Sequence, residues 1–580
     1  MKIRRLNSSL LLACLLMISG RELIANDQVA TLPSTTLAFV HIKNFAETEA
    51  KLLRLVQKFE PATQSLLALA KVTTGLEAGV DFQGDLILAF LDYGVTPQFP
   101  APLLLVPITD YATFAAAVLA DDTGEICRVS IAGEELLVAK RGKFAMLMNA
   151  EHREIMNWVI ANQNPNVPIL RSYLPWLEQN DATLVVTATG RDFLLRTTSW
   201  RKHFLKTPDA ETLFDDSEFL AEPPPLASSL LVREFFRKSL VSGAVGVSFD
   251  DHANTKLRWK AQMRITGAHH NEAPVTGDPA KRLEGHAQRP YVVAGGGLLP
   301  KGTGPLLADC FTTFAVSSYH QEGGQGFTPE DWLKVRSSYE LTFSQVKGIS
   351  TWFVPPSNEK SLLATFFARL EVNNSQAYLA GLKQSFELTN ELTARSTSDI
   401  KLHYKIAPTT INGAKGFVAE ADLGAATGDA HLQIWQSLLT AFLGEDRKLS
   451  IYAVASSEKQ VVIGIESADE VAKLIEGLQK RDGSLAKSAD VQDTLELLDP
   501  TAPFTQVVNP QGAVEFAQAV LKGAFQLGSV LQLPIFPSGP PIGITLTAES
   551  DCWQGEFVVP AKTTDHLAKF FSDLESTLGQ

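Results

Sequence analysis

Short apolar runs recur along the chain. Each ends at Asn, Asp, Ser or Thr and is followed by apolar positions three and four residues apart. Leu37–Ile42 leads through Asn44 to Leu52, Val56 and Phe59. Leu103–Ile108 leads through Asp110 to Tyr111, Phe114 and Val118, and Phe144–Met148 through Asn149 to Ile155 and Val159. Val461–Ile465 leads to Ser467, which forms a capping box with Glu470 ahead of Val471, Leu474, Ile475 and Leu478. Thr505–Val508 leads to Asn509-Pro510, an N-cap with proline at the first helical position. Phe557–Val559 leads to a cap at Thr563 or Thr564, ahead of Leu567, Phe570, Phe571 and Leu574. The runs predict strands, and the wider spacing predicts helices with one apolar stripe, which a neighbouring sheet would cover.

Between these units lie paired runs with no helix. Arg128–Ala132 faces Glu135–Lys140, and Lys448–Ser456 faces Lys459–Ile465 across Ser457-Glu458. Hairpins pair antiparallel. The expected fold is α+β with two related halves. Each half is a mixed or mostly antiparallel sheet with helices packed on one face. The landmarks have a common order, which points to tandem duplication. Leu37–Ile42, Asp85–Phe90, Leu103–Ile108, Thr183–Thr187, Val245–Phe249 and Leu257–Met263 precede a break. Tyr291–Ala294, Ser350–Val354, Leu362–Leu370, Phe504–Val508, Ile542–Thr547 and Gly555–Val559 follow it. The break is the polar stretch 267–289, read as a solvated linker between halves at 26–266 and 290–580. A second polar stretch, Thr207–Ser228 with Pro223-Pro224-Pro225, reads as a loop inside the first half.

Residues 1–25 fit a cleaved secretory signal. Lys2, Arg4 and Arg5 precede the apolar core Leu10–Ile18, and Leu23-Ile24-Ala25 supplies a small residue before a cut. The core is too short to span a bilayer, and no later run is long enough, so no transmembrane segment is expected after cleavage. Leu11-Leu12-Ala13-Cys14 only loosely matches a lipoprotein box, because apolar residues continue past Cys14. Localisation is therefore expected to be periplasmic or extracellular.

The chain has 580 residues, 45% of them hydrophobic, which excludes a disordered or collagen-like chain. The signal carries Lys2, Arg4, Arg5 and Arg21 against Glu22, so its loss takes the formal charge from −13 to −16. An acidic exported chain is not expected to bind nucleic acid, which needs clustered Lys and Arg. Cys127, Cys310 and Cys552 show no metal-ligand spacing and read as buried apolar residues, with a Cys310–Cys552 bond as the alternative.

The mature chain begins Leu32-Pro33-Ser34-Thr35-Thr36-Leu37-Ala38-Phe39-Val40, continues to Asn44-Phe45, and later carries Gly79-Val80-Asp81 and Gly84-Asp85 at the start of a strand. Over residues 30–270 it resembles large uncharacterised exported bacterial proteins with a Leu-Pro-x-x-Thr strand–helix start, a domain of unknown function. The resemblance implies export and a strand–helix fold, and supplies no catalytic residue.

Ala294–Gly304 is glycine-rich, but its order is Lys301-Gly302-Thr303 with Pro300 ahead, so it lacks the Gly-Lys-Ser/Thr of a phosphate loop. It reads as a turn after a strand. Asp250-Asp251-His252 and His269-His270-Asn271-Glu272 with His286 hold metal-ligand residue types, but their setting reads as solvated turn and linker. Neither HExxH nor GxSxG occurs. His41 and His203 have no partner identifiable from sequence and read as structural. Asp121-Asp122 and Asp215-Asp216-Glu218 are ordinary acidic runs. Trp200-Arg201-Lys202-His203 with Lys206 is a basic spot at a helix end, and Ala524–Pro541 is an apolar loop that would cover core or line a groove.

No catalytic, metal or cofactor-binding residue is therefore named, and no cofactor is expected. The expected function is an exported, non-enzymatic binding or scaffold protein of the cell envelope, holding an apolar ligand, a lipid or a protein partner. The alternative is an envelope-acting hydrolase with residues dispersed in sequence.

Overall fold

The computed structural model describes residues 32–33, 35–74, 77–92, 100–118, 124–131, 133–161, 168–196, 240–250, 253–263, 277–283, 286, 290–299, 304, 307–308, 312, 328–355, 366–395, 403–422, 440, 448–465, 468–480, 485–523, 532–549 and 552–578. They fall into two compact units, one holding the described residues up to 263 and the other those from 277 onward.

The first unit runs β1 Thr36–Ile42, α1 Phe45–Phe59, α2 Leu66–Thr74, β2 Leu86–Leu91, β3 Ala101–Pro107, α3 Tyr111–Ala117, β4 Ile126–Ile131, β5 Glu134–Arg141 and β6 Phe144–Asn149. It continues with α4 Arg153–Ala161, α5 Pro168–Gln179, β7 Ala182–Val186, α6 Ala188–Arg196, β8 Leu240–Phe249 and β9 Thr255–Met263. The second runs α7 Pro279–Arg282, β10 Val293–Leu298, α8 Pro329–Phe343, β11 Val346–Phe353, β12 Phe366–Val372, α9 Ser375–Arg395, β13 Tyr404–Ile411, β14 Ala414–Asp422, β15 Lys448–Ser457 and β16 Gln460–Ile465. It ends with α10 Ala468–Lys480, α11 Ala489–Leu495, β17 Phe504–Val508, α12 Pro510–Gly523, β18 Ile542–Glu549, β19 Cys552–Val559 and α13 Ala561–Leu578.

Pairing in the first unit follows the order β4-β5-β6-β3-β2-β1-β7-β8-β9, antiparallel throughout. In the second the order is β13-β14-β15-β16-β12-β11-β10-β17-β18-β19, again antiparallel. Apart from β13, the connections follow the same sequence in both. The expectation of two halves, each with its own sheet, is overturned, because the described strands form one 19-stranded sheet. A polar stretch decides where the chain leaves a sheet. It does not decide where the hydrogen-bond ladder stops, since unpaired N–H and C=O groups on an edge strand invite further pairing.

Helices on one face only is a second expectation the structure corrects. Phe144, Met146 and Met148 of β6 pack with Ile155, Met156 and Val159 of α4 and with Tyr173, Trp176 and Leu177 of α5. Ala145 and Leu147 point the other way, into a cluster with Phe114 of α3. In the second unit Trp352, Phe367 and Val462 lie under Val471, Leu474 and Ile475 of α10, while Leu370, Phe417 and Val461 lie under Tyr378 and Leu379 of α9. Strands such as Phe144–Met148 are apolar at consecutive positions, and successive side chains point to opposite faces, so both faces need cover.

Several helix starts follow the capping chemistry. Asn44 adopts a left-handed conformation at φ 34° and accepts from the Glu47 N–H at 3.3 Å. Asp110 accepts from Thr113 N at 2.7 Å, Asn149 from Glu151 N at 3.0 Å and Asn509 from Gln511 N at 3.0 Å. Ser467 lies outside the described residues. A cap at Thr563 or Thr564 is overturned. Pro560 fixes the chain direction, α13 begins at Ala561, and the two threonines sit in its first turn, donating to Pro540 O at 2.5 Å and Pro560 O at 3.4 Å.

The glycine run is a strand, not a turn. Gly295, Gly296 and Gly297 lie within β10, paired with β11 on one side and β17 on the other. At Gly296, φ 156°, an added Cβ would fall 1.9 Å from Ile349 O, so glycine is what lets these strands meet.

Candidate functional site

His41 is the last residue but one of β1 and is wholly buried. Its Nε2–H donates to Asp85 Oδ2 at 3.1 Å. The other oxygen, Oδ1, accepts the backbone N–H of Asn44 at 3.0 Å. Asp85 itself is 3% exposed, so both partners are sealed from solvent. The stretch before β2 is built to hold this contact. Gly79 adopts φ 76°, where a Cβ would lie 2.4 Å from Phe114 N, and Asp81 Oδ1 accepts Gln83 N at 3.0 Å. Phe45 N and Ala46 N donate to Gly84 O and Phe82 O at 3.3 and 3.0 Å. The Gly-Val-Asp…Gly-Asp string is thus a cradle for the β1–α1 junction. An Asp–His pair is the arrangement of a general base. Here its geometry serves packing, because both groups face the interior. Sequence gave no partner for His41. Asp85 is 44 residues away, and only the β1–β2 pairing brings the two together.

The second unit holds a different polar group under its helices. Arg369 of β12 is 9% exposed and donates from Nη2 to Ser350 Oγ of β11 at 3.2 Å. Arg282 of α7 pairs with Glu371 at 2.8 Å. His286 lies beside them, its ring centroid 5.2 Å from that of Trp352. Burial pushes His286 down to about 3, and the Arg369 charge adds to this. The expected solvated linker therefore buries Leu283 and His286. Neither polarity nor periodicity marked them, since His286 meets the core only through tertiary packing.

A third feature lies on the outer face of β7, β8 and β9. Leu184 stands opposite Val245, and Val245 opposite Trp259. Leu257 stands opposite Val247. Leu184, Val245, Leu257 and Trp259 are 42, 45, 42 and 37% exposed. The other face of the same strands mixes buried Val185 and Ala244 with polar Ser242, Arg258 and Lys260, and it is the one covered by α5. Ser242 bonds Tyr173 at 2.9 Å, Arg258 reaches Gln179 O and Asn180 Oδ1 at 3.2 and 3.3 Å, and Lys260 lies 5.8 Å from the Tyr173 ring centre. Lys256-Leu257-Arg258-Trp259-Lys260 alternates strictly, and alternation alone would have turned Leu257 and Trp259 inward.

Of the remaining candidates, Asp250 accepts from Asn254 N and Nδ2 at 2.9 and 2.8 Å, closing the β8–β9 turn. Cys127 and Cys552 are buried. Asp251, His252, His269–Glu272, Cys310, Asp121-Asp122, Trp200–Lys206, Asp215–Glu218 and Lys301–Thr303 lie outside the described residues, as does 524–531. Residues 532–541 are held against the second unit by Leu533 N donating to Gln518 Oε1 at 2.7 Å and by Phe536 packing on Phe570. Among the described residues no group of three His, Cys, Asp or Glu side chains could hold a metal ion, and no helix is long and apolar enough to cross a membrane. The chain matches no protein-family model, and no curated protein or solved structure is significantly similar to it.

Proposed function

We propose that the protein is an exported, non-enzymatic binding or scaffold protein of the cell envelope, holding an apolar ligand or a protein partner on the outer face of β7–β9. The observation that carries the reading is the register row Leu184–Val245–Trp259, with Leu257 beside it: apolar side chains on three adjacent strands, each more than a third exposed. Contiguous apolar surface with an aromatic anchor is the chemistry of association surfaces. The N-terminal signal pattern supports export. The hydrolase alternative would draw on His41 and Asp85, and their burial favours the binding reading.

Native mass spectrometry of the protein purified from the periplasm, beside its Trp259→Ser variant, tests this. A copurified lipid or protein that the variant fails to retain is the expected result. A bare wild-type monomer that cleaves ester or glycoside substrates would overturn it.

A further inference from the structure

Two polar atoms beside the Asp85 contact are sealed in the core of the first unit. His41 Nδ1 and Thr183 Oγ1 are buried, and neither has a hydrogen-bond partner among the described residues. His41 and Thr183 are direct partners in the β1–β7 register, so their side chains leave the same face of the sheet side by side. Both residues are almost fully buried, His41 at 0% and Thr183 at 1%. Because Nε2–H is committed to Asp85, a neutral His41 presents Nδ1 as an acceptor. Thr183 offers one donor and two acceptor positions. Two unmet polar groups on adjacent strands form a site that one small hydroxylic donor–acceptor satisfies, whereas leaving them dry is unfavourable.

We infer that His41 Nδ1 and Thr183 Oγ1 together bind one internal water, which donates to the imidazole and accepts from the threonine hydroxyl. The chain Asn44 N–H, Asp85, His41, water, Thr183 then runs from the start of α1 across β1 to β7 with every polar atom engaged. This is independent of any ligand on the outer face.

The experiment combines a high-resolution crystal structure with the sign of a stability change. In the crystal, one ordered water within hydrogen-bond distance of both atoms is expected. Thr183→Val keeps the shape and removes one anchor of that water, so its Tm is expected to fall by about 2–4 °C, with Thr183→Ser near wild type. A dry site predicts the opposite, because deleting an unmet buried hydroxyl raises Tm. A rise in Tm for Thr183→Val, an absence of density between the two side chains, or a Thr183 hydroxyl bonded straight to Nδ1 would each overturn the inference.

Discussion

His41 and Gly296 hold the same place in the pairing orders of their units. His41 stands between Ile87 on β2 and Thr183 on β7, and Gly296 between Ser350 on β11 and Thr505 on β17. The first unit fills that place with an imidazole and supplies a carboxylate, Asp85, from the start of the next strand. The second leaves it without a side chain, and its polar groups come from β12 and α7, with the imidazole of His286 inserted from outside the sheet. The chemistry differs accordingly. His41 gains a charged hydrogen-bond partner, whereas His286 is placed near Arg369 and loses its proton affinity. A polar group in a sheet core is tolerated where the surrounding elements meet its hydrogen bonds, and the sheet leaves open which element supplies them.

The sharpest break is steric. Gly296→Ala would place a Cβ 1.9 Å from Ile349 O and 2.5 Å from Ser350 Cα, so the strands must part. A loss of about 4 kcal/mol is expected in urea unfolding. A change below 1 kcal/mol (roughly the median for a point mutation) would show that β10 does not need glycine there.

Next comes the carboxylate. Asp85→Leu leaves the His41 Nε2–H and the Asn44 N–H without their acceptor, an expected loss of about 3 kcal/mol. In a His41→Leu background the same substitution is expected to cost much less, and a double-mutant cycle reads the difference. Additive losses would mean the two side chains do not depend on each other.

The third test uses protons. His286 is neutral in the folded state down to about pH 3, whereas in the unfolded chain it takes a proton below about pH 6.5. The unfolded state therefore binds more protons between these values. Stability is full above about pH 6.5 and falls as pH drops toward 3, by about 1.4 kcal/mol per pH unit for this group. His286→Phe is expected to flatten the pH dependence of the unfolding free energy in that window. An unchanged slope would place the pH sensitivity elsewhere.

The smallest effect is on the open face. Trp259→Ser is expected to change stability by less than about 1 kcal/mol, because the side chain is already partly in water. A large loss would mean that Trp259 belongs to the core of its unit and is not a contact point.

The local chemistry of the chain determined much by itself. Asn44, Asp110, Asn149 and Asn509 cap helices because short polar side chains meet the N–H groups a helix start leaves unpaired, and that rule needs only neighbours in sequence. The hairpins β4–β5 and β15–β16 were equally legible, since their pairing is between adjacent segments. Tertiary structure decided the rest: one sheet in place of two, cover on both faces, His41 against Asp85, His286 under Trp352, and the outward turn of Leu257 and Trp259. Each of these depends on which distant element arrives at a given face. Alternation and polarity fix that a strand has two faces and that a histidine needs a partner, but only the packed chain settles which face is covered and which residue answers.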